Sequence, residues 1–239
     1  MKLNQPLSLS SEFLAILDQL ENSSESMFIT GRAGTGKSTL LQIFRNTTKK
    51  RTAVVAPTGI AALNVKGQTI HSFFGFPPKM LNPADIGKRK NWRMYQRLDV
   101  LIIDEISMVR ADMMDNIDLF LRRNRGINEP FGGVQLLLFG DLFQLPPVVA
   151  SEFEKHIFKS RYESQYFFSS KIINGPDYHL GMIELLEVYR QSDRGFINLL
   201  DNIRMRAIDY DDMETLNDRH QPIPEDLDYF ITLCSRNAT

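Results

Sequence analysis

The chain has 239 residues, 43% hydrophobic and 24% charged, with a net charge of −1. Such a composition excludes a fibrous or low-complexity protein, no apolar run approaches the ~20 residues of a membrane span, and near-neutrality excludes polyanion binding by bulk charge. The single cysteine, Cys234, excludes an intrachain disulfide, and no signal-peptide pattern opens the chain, so the expected setting is intracellular.

In chain order, Ser10 reads as an N-cap for a helix over 11–21, with Phe13, Ile16, Leu17 and Leu20 at helical spacing. The strand-like run 27–30 leads into Gly31-Arg32-Ala33-Gly34-Thr35-Gly36-Lys37-Ser38, which fits G-x-x-x-x-G-K-[ST], and a helix-like segment follows from Thr39 to Phe44. A phosphate chain needs many converging donors. Glycines bring backbone N–H groups close, and the first turn of the next helix adds unpaired N–H groups and a positive dipole end. In that arrangement Lys37 reaches the β- and γ-phosphates and the Ser38 hydroxyl serves as a Mg²⁺ ligand. The pattern points to a nucleoside triphosphatase.

Further strand-like runs occupy 52–56, 99–103 and 134–139, with helices between them, and the last two are almost wholly apolar. Alternating βα units of this kind predict an α/β fold with a mostly parallel sheet wrapped by helices. Between Phe76 and Arg97 the pattern breaks into Pro77-Pro78, Asn82-Pro83 and a basic run that interleaves Trp92 and Tyr95, which predicts a small insertion at about 77–97 on the surface of the sheet. Arg122, Arg123 and Arg125 form a second basic patch, read as solvated charge on a helix face.

Strand 99–103 delivers Asp104-Glu105 at its carboxyl end, where open α/β sheets bind ligands. Asp104 suits a metal, directly or through water, and Glu105 suits orienting or deprotonating an attacking water. Gln144, in Gly140-Asp-Leu-Phe-Gln-Leu-Pro-Pro147, either senses the γ-phosphate or is structural, and Arg190, after the run 183–189, either clamps that phosphate or serves an ion pair. Near the end, Asp209 to Asp218 is acidic and helix-like. Pro222 and Pro224 make a stiff break, and Tyr229 to Leu233 reads as the first strand of a further unit.

Seven blocks resemble the ordered motif series of the PIF-type DNA helicases, RecD-like members of helicase superfamily one that move 5′ to 3′ on single-stranded DNA. They are Gly31–Thr39, Ala56-Pro-Thr-Gly-Ile-Ala-Ala-Leu63, Thr69-Ile-His-Ser-Phe-Phe74, Ile103-Asp-Glu-Ile-Ser-Met-Val109, Phe131-Gly-Gly-Val-Gln135, Gly140–Pro147 and Val188-Tyr-Arg-Gln-Ser192. The resemblance implies a RecA-like P-loop domain over 1–224, a wedge-like subdomain at the insertion, and a truncated second RecA-like domain from 225. It also implies ATP and Mg²⁺ as cofactors, and single-stranded DNA and duplex/single-strand junctions as partners.

Carried onto matching residues, ATP binding falls to Gly31, Ala33, Gly34, Thr35, Gly36, Lys37, Ser38 and Thr39. Catalysis falls to Lys37, Asp104, Glu105, Gln144 and Arg190, metal ligation to Ser38 and Asp104, and DNA contact to Pro57, Thr58, Gly59, His71, Ser72 and Phe73. One departure stands out: after Leu9-Ser10-Ser11-Glu12 the family has an adenine-reading Gln, whereas this chain has Phe13, with Gln5 the nearest substitute. A nucleotide-dependent binding module that does no work is the competing reading, distinguished by whether single-stranded DNA stimulates hydrolysis.

Overall fold

A computed structural model describes residues 10–149, 151–189 and 193–220. The chain divides into two compact units, 1–190 and 191–239. In the first, six strands form one parallel sheet: β1 (Ser26–Gly31), β2 (Thr52–Ala56), β3 (Gln68–Thr69), β4 (Val100–Ile103), β5 (Gln135–Phe139) and β6 (Leu180–Leu185), in the order β3-β2-β4-β5-β1-β6. The expected runs became strands, with 99–103 and 134–139 each starting one residue later. Strands β3 and β6 were not expected.

Successive side chains of a strand point to opposite faces, so each strand feeds two cores. On one face Met27, Ile29, Val54, Ile102, Leu137 and Phe139 meet α1 (Ser11–Asn22) and α2 (Lys37–Thr47) through Phe13, Leu20, Leu40, Leu41 and Phe44. On the other, Phe28, Val55, Leu101, Ile103, Leu136 and Leu138 meet α4 (Ile70–Phe74), α5 (Trp92–Gln96) and α6 (Ala111–Arg125). Short α3 (Gly59–Asn64) follows β2, and α7 (Glu152–Arg161) follows β5. In the second unit, α8 (Arg194–Met205) and α9 (Tyr210–Asn217) are joined by Asn202 donating to Asp212 at 2.7 Å.

The insertion is anchored in the core rather than laid on the surface. Ile86, Tyr95 and Leu98 are buried, and Tyr95 sits within 4.9 Å of the Phe120 ring while its hydroxyl donates to the Phe73 carbonyl at 2.8 Å. The second basic patch is likewise not solvated charge. Arg125 donates to the carbonyls of Tyr95, Leu98 and Gly132, Arg123 to those of Pro83 and Ile86, and Arg122 to Asp118 and the Asn128 carbonyl. Carbonyls left unpaired by irregular backbone need donors, and the fork of a guanidinium supplies several at once. Arg123 and Arg125 fasten the insertion to the end of α6.

Candidate nucleotide and nucleic-acid sites

Because all six strands are parallel, the loops after β1, β2, β4 and β5 open on one edge of the sheet. Strand β5 lies between β1 and β4, so Gln144, in the loop after β5, falls between the phosphate loop and the Asp104-Glu105 pair. A cavity of ≈ 400 Å³ there is lined by Ala33, Gly34, Gly36, Lys37, Ser38 and Thr39 together with Glu105, Gln144 and Tyr189. Residues from four separated stretches of sequence thus meet in a space the size of a small-molecule site.

The loop's shape follows from local sterics. Gly31 has φ +150, and a Cβ there would sit 2.6 Å from the Leu185 carbonyl oxygen and 2.7 Å from the Thr35 hydroxyl. No other residue fits between β1 and β6 at that point. Gly36 has φ +89, and a Cβ would lie 2.8 Å from the Phe13 ring. Thr35 is fully buried and donates to the Arg32 carbonyl at 2.9 Å, so it shapes the loop without lining the cavity. The Lys37 ammonium donates to the carbonyls of Gly31 (2.6 Å) and Arg32 (3.0 Å), which holds the cation beside the loop.

Asp104 is buried at the end of β4, and its carboxyl is pushed up to about 6 by burial and then by the charge of Glu105, with Lys37 acting in the opposite direction. A buried carboxylate whose charge is disfavoured in this way fits a cation partner, which would draw the value back down. Glu105 adopts the left-handed conformation, φ 51 and ψ 46. For a residue with a Cβ this costs on the order of 1–2 kcal/mol, and it turns the side chain off the line of β4 toward the cavity. Gln144 donates through its backbone to the Asp141 carbonyl at 3.0 Å, and buried Asp141 also accepts from the Phe143 amide at 3.0 Å. That folds the loop after β5 into a fixed turn.

Tyr189 is the residue that sequence reasoning missed. Its amide donates to the Gly34 carbonyl at 2.9 Å, and its ring packs edge-on against Phe13, centroids 6.0 Å apart. Its hydroxyl donates to Glu187 at 2.6 Å. The signal lies in the Val188-Tyr-Arg block, where the charged neighbour carries the more conspicuous chemistry. Arg190 itself lies outside the described residues, as do Gln5 and the expected strand 229–233.

The DNA-contact candidates separate. Pro57, Thr58 and His71 line one groove of ≈ 370 Å³. The Thr58 hydroxyl caps α3 by accepting from the Ala61 amide at 3.2 Å, and Gly59 is exposed with open space where a Cβ would be. Ser72 is exposed beside them. Phe73 is half-buried, packs edge-on against Phe74 and Tyr95, and lines a different groove.

A parallel sheet with helices on both faces and a phosphate loop at its carboxyl edge defines a RecA-like P-loop domain. More narrowly, the chain belongs to the PIF1-like helicase family, which matches residues 8–213. It is 35% identical over 240 residues to the ATP-dependent DNA helicase PIF1 of Saccharomyces cerevisiae, covering 95% of this chain and 26% of that protein. To the human ATP-dependent DNA helicase PIF1 it is 38% identical over 205 residues, 82% of this chain and 30% of that one. A solved structure of Bacteroides Pif1 bound to ssDNA superposes with a TM-score of 0.87 at 37% identity, covering 98% of this chain and 55% of that chain. Another, the Bacteroides enzyme in complex with ADP-AlF3 and ssDNA, gives 0.83 at 37% identity over 92% of this chain and 52% of that one. The chain therefore spans about a quarter to a third of these curated relatives and about half of the solved ones. No described helix is long and apolar enough to cross a membrane.

Proposed function

We propose that this chain is the nucleotide-hydrolysing motor half of an ATP-dependent DNA helicase that moves 5′ to 3′ on single-stranded DNA. The observation that carries the reading is the cavity in which Lys37, Ser38, Glu105 and Gln144 converge from three separate loops. Backbone amides of 33–39 hold the phosphates, Lys37 neutralises the β- and γ-oxygens, and Gln144 senses the γ-phosphate. Ser38 and Asp104 would hold Mg²⁺, which would supply positive charge to the phosphate oxygens. Glu105 orients and deprotonates the attacking water from its left-handed perch. Arg190, which follows the anchored Tyr189 in sequence, is assigned to clamp the γ-phosphate.

The groove of Pro57, Thr58 and His71 is assigned to the translocated strand, with Gly59 and Ser72 at its rim. Amides, hydroxyls and one imidazole grip phosphate and sugar without reading bases. Residues 77–97 are assigned to a wedge at the duplex junction, and 1–224 to the first RecA-like domain with a second beginning near 225. An ATPase assay with and without oligothymidine on the full-length protein tests the reading, the 239-residue chain alone being expected to hydrolyse weakly or not at all. Turnover that rises many-fold with DNA and disappears in Glu105→Gln is expected; turnover indifferent to DNA would reduce the protein to a binding module.

A further inference from the structure

Helix α4 is a single turn, and it partitions two grooves. His71 opens to the one just described, and Phe73 to a second of ≈ 470 Å³ between the edge of the sheet and the insertion. Its floor is apolar, formed by Phe73 and the 46%-exposed Met94, and by Thr52 and Ala53 of β2. Those two strand residues are accessible because β3 is two residues long and pairs only with Val55 and Ala56.

Four cations stand over this floor: Arg45, Arg51, Lys66 and Arg97. No carboxylate lines the groove. Asp99 is held by Arg51 through two bonds of 2.7 and 2.8 Å, and the Arg45 guanidinium donates to the carbonyls of Val65 and Lys66. Lys66 and Arg97 are exposed. In a chain of net charge −1, concentrating like charge around an apolar trough is unfavourable by itself and is relieved by a polyanion. An aromatic ring on the floor selects a polyanion that carries flat faces. A nucleic-acid single strand meets both requirements, with phosphates at the rim and a base on Phe73.

We propose that this groove holds a second strand of nucleic acid, distinct from the strand gripped at His71, so that α4 stands between two strands drawn from one duplex. The proposal rests on the DNA-binding reading above. Both grooves border the same insertion, since Pro78 and Lys79 line the first and Met94 and Arg97 the second. A duplex opened at the insertion would find a basic path on either side.

The test uses the whole chain carrying Lys66→Glu and Arg97→Glu together, two exposed positions outside the nucleotide cavity and the His71 groove. Anisotropy titrations compare labelled oligothymidine with a forked duplex, and the 3′-tailed arm of a second fork carries 5-iodouracil for photo-crosslinking. Affinity for the fork should fall on the order of tenfold and its log–log salt slope by about two, while oligothymidine binding stays within about twofold. Crosslinks should map to the peptide containing Phe73. Parallel loss on both probes would show that Lys66 and Arg97 serve the first strand, and unchanged fork binding with crosslinks elsewhere would show that the groove holds no strand. Either result overturns the inference while leaving the helicase reading intact. Failure of the wild-type chain to bind oligothymidine or fork would remove both.

Discussion

Glu105 is the residue whose backbone and chemistry are most tightly bound together. Its left-handed conformation predicts an inverted substitution order: Glu105→Gly should be more stable than Glu105→Ala by about 1 kcal/mol, the reverse of the usual preference, as read from denaturant midpoints. Both variants should lose hydrolysis. Roles separate in a second pair of variants. Lys37→Ala should abolish binding of a fluorescent nucleotide, whereas Glu105→Gln should bind it normally and fail to turn over, because in the proposed mechanism Lys37 acts on the ground state and Glu105 only when water attacks. Near-normal turnover in Glu105→Gln would end the assignment. Gly31→Ala should cost nucleotide binding and stability together, since its Cβ would meet backbone on β6 at 2.6 Å.

Among the elements, the phosphate loop and the four buried strands were legible because their signals are local: a fixed glycine spacing, and apolar runs that need no knowledge of neighbours. Strand β6 was not. Its Leu-Gly-Met-Ile-Glu-Leu has only Leu185 buried, as befits the edge of a sheet with Met182 68% exposed, and such a strand is defined by pairing with β1 rather than by composition. Phe73 shows a different limit. Sequence neighbours His71 and Phe73 read as one track, but two steps along a helix rotate a side chain by roughly 200°, which sends them to opposite sides of α4. Arg123 and Arg125 at the end of α6 were misread for a related reason: their partners are backbone carbonyls, which no residue pattern announces. Arg125→Met should therefore destabilise the chain by about 2 kcal/mol or more in chemical unfolding, leaving the carbonyls of Tyr95, Leu98 and Gly132 without that donor, while exposed Arg123→Ala should cost less than about half of that.

Across the whole molecule, the strand order places the two proposed sites, for hydrolysis and for strand contact, on the same sheet edge but in separate cavities, one centred on β1 and β5 and the other beside β2. The two can thus be dissected. His71→Ala should raise the oligothymidine concentration needed for half-maximal ATPase stimulation, and Glu105→Gln should flatten the plateau at every DNA concentration. A His71→Ala curve superimposable on wild type would remove that groove from the DNA path.

The amide of Tyr189 bound to the carbonyl of Gly34 ties the tip of the glycine-rich loop to the segment that follows β6. Gly34, at φ +86, is thereby held by a partner from a distant stretch of sequence. A loop clasped at its tip as well as at its root keeps its curve with no nucleotide present to template it.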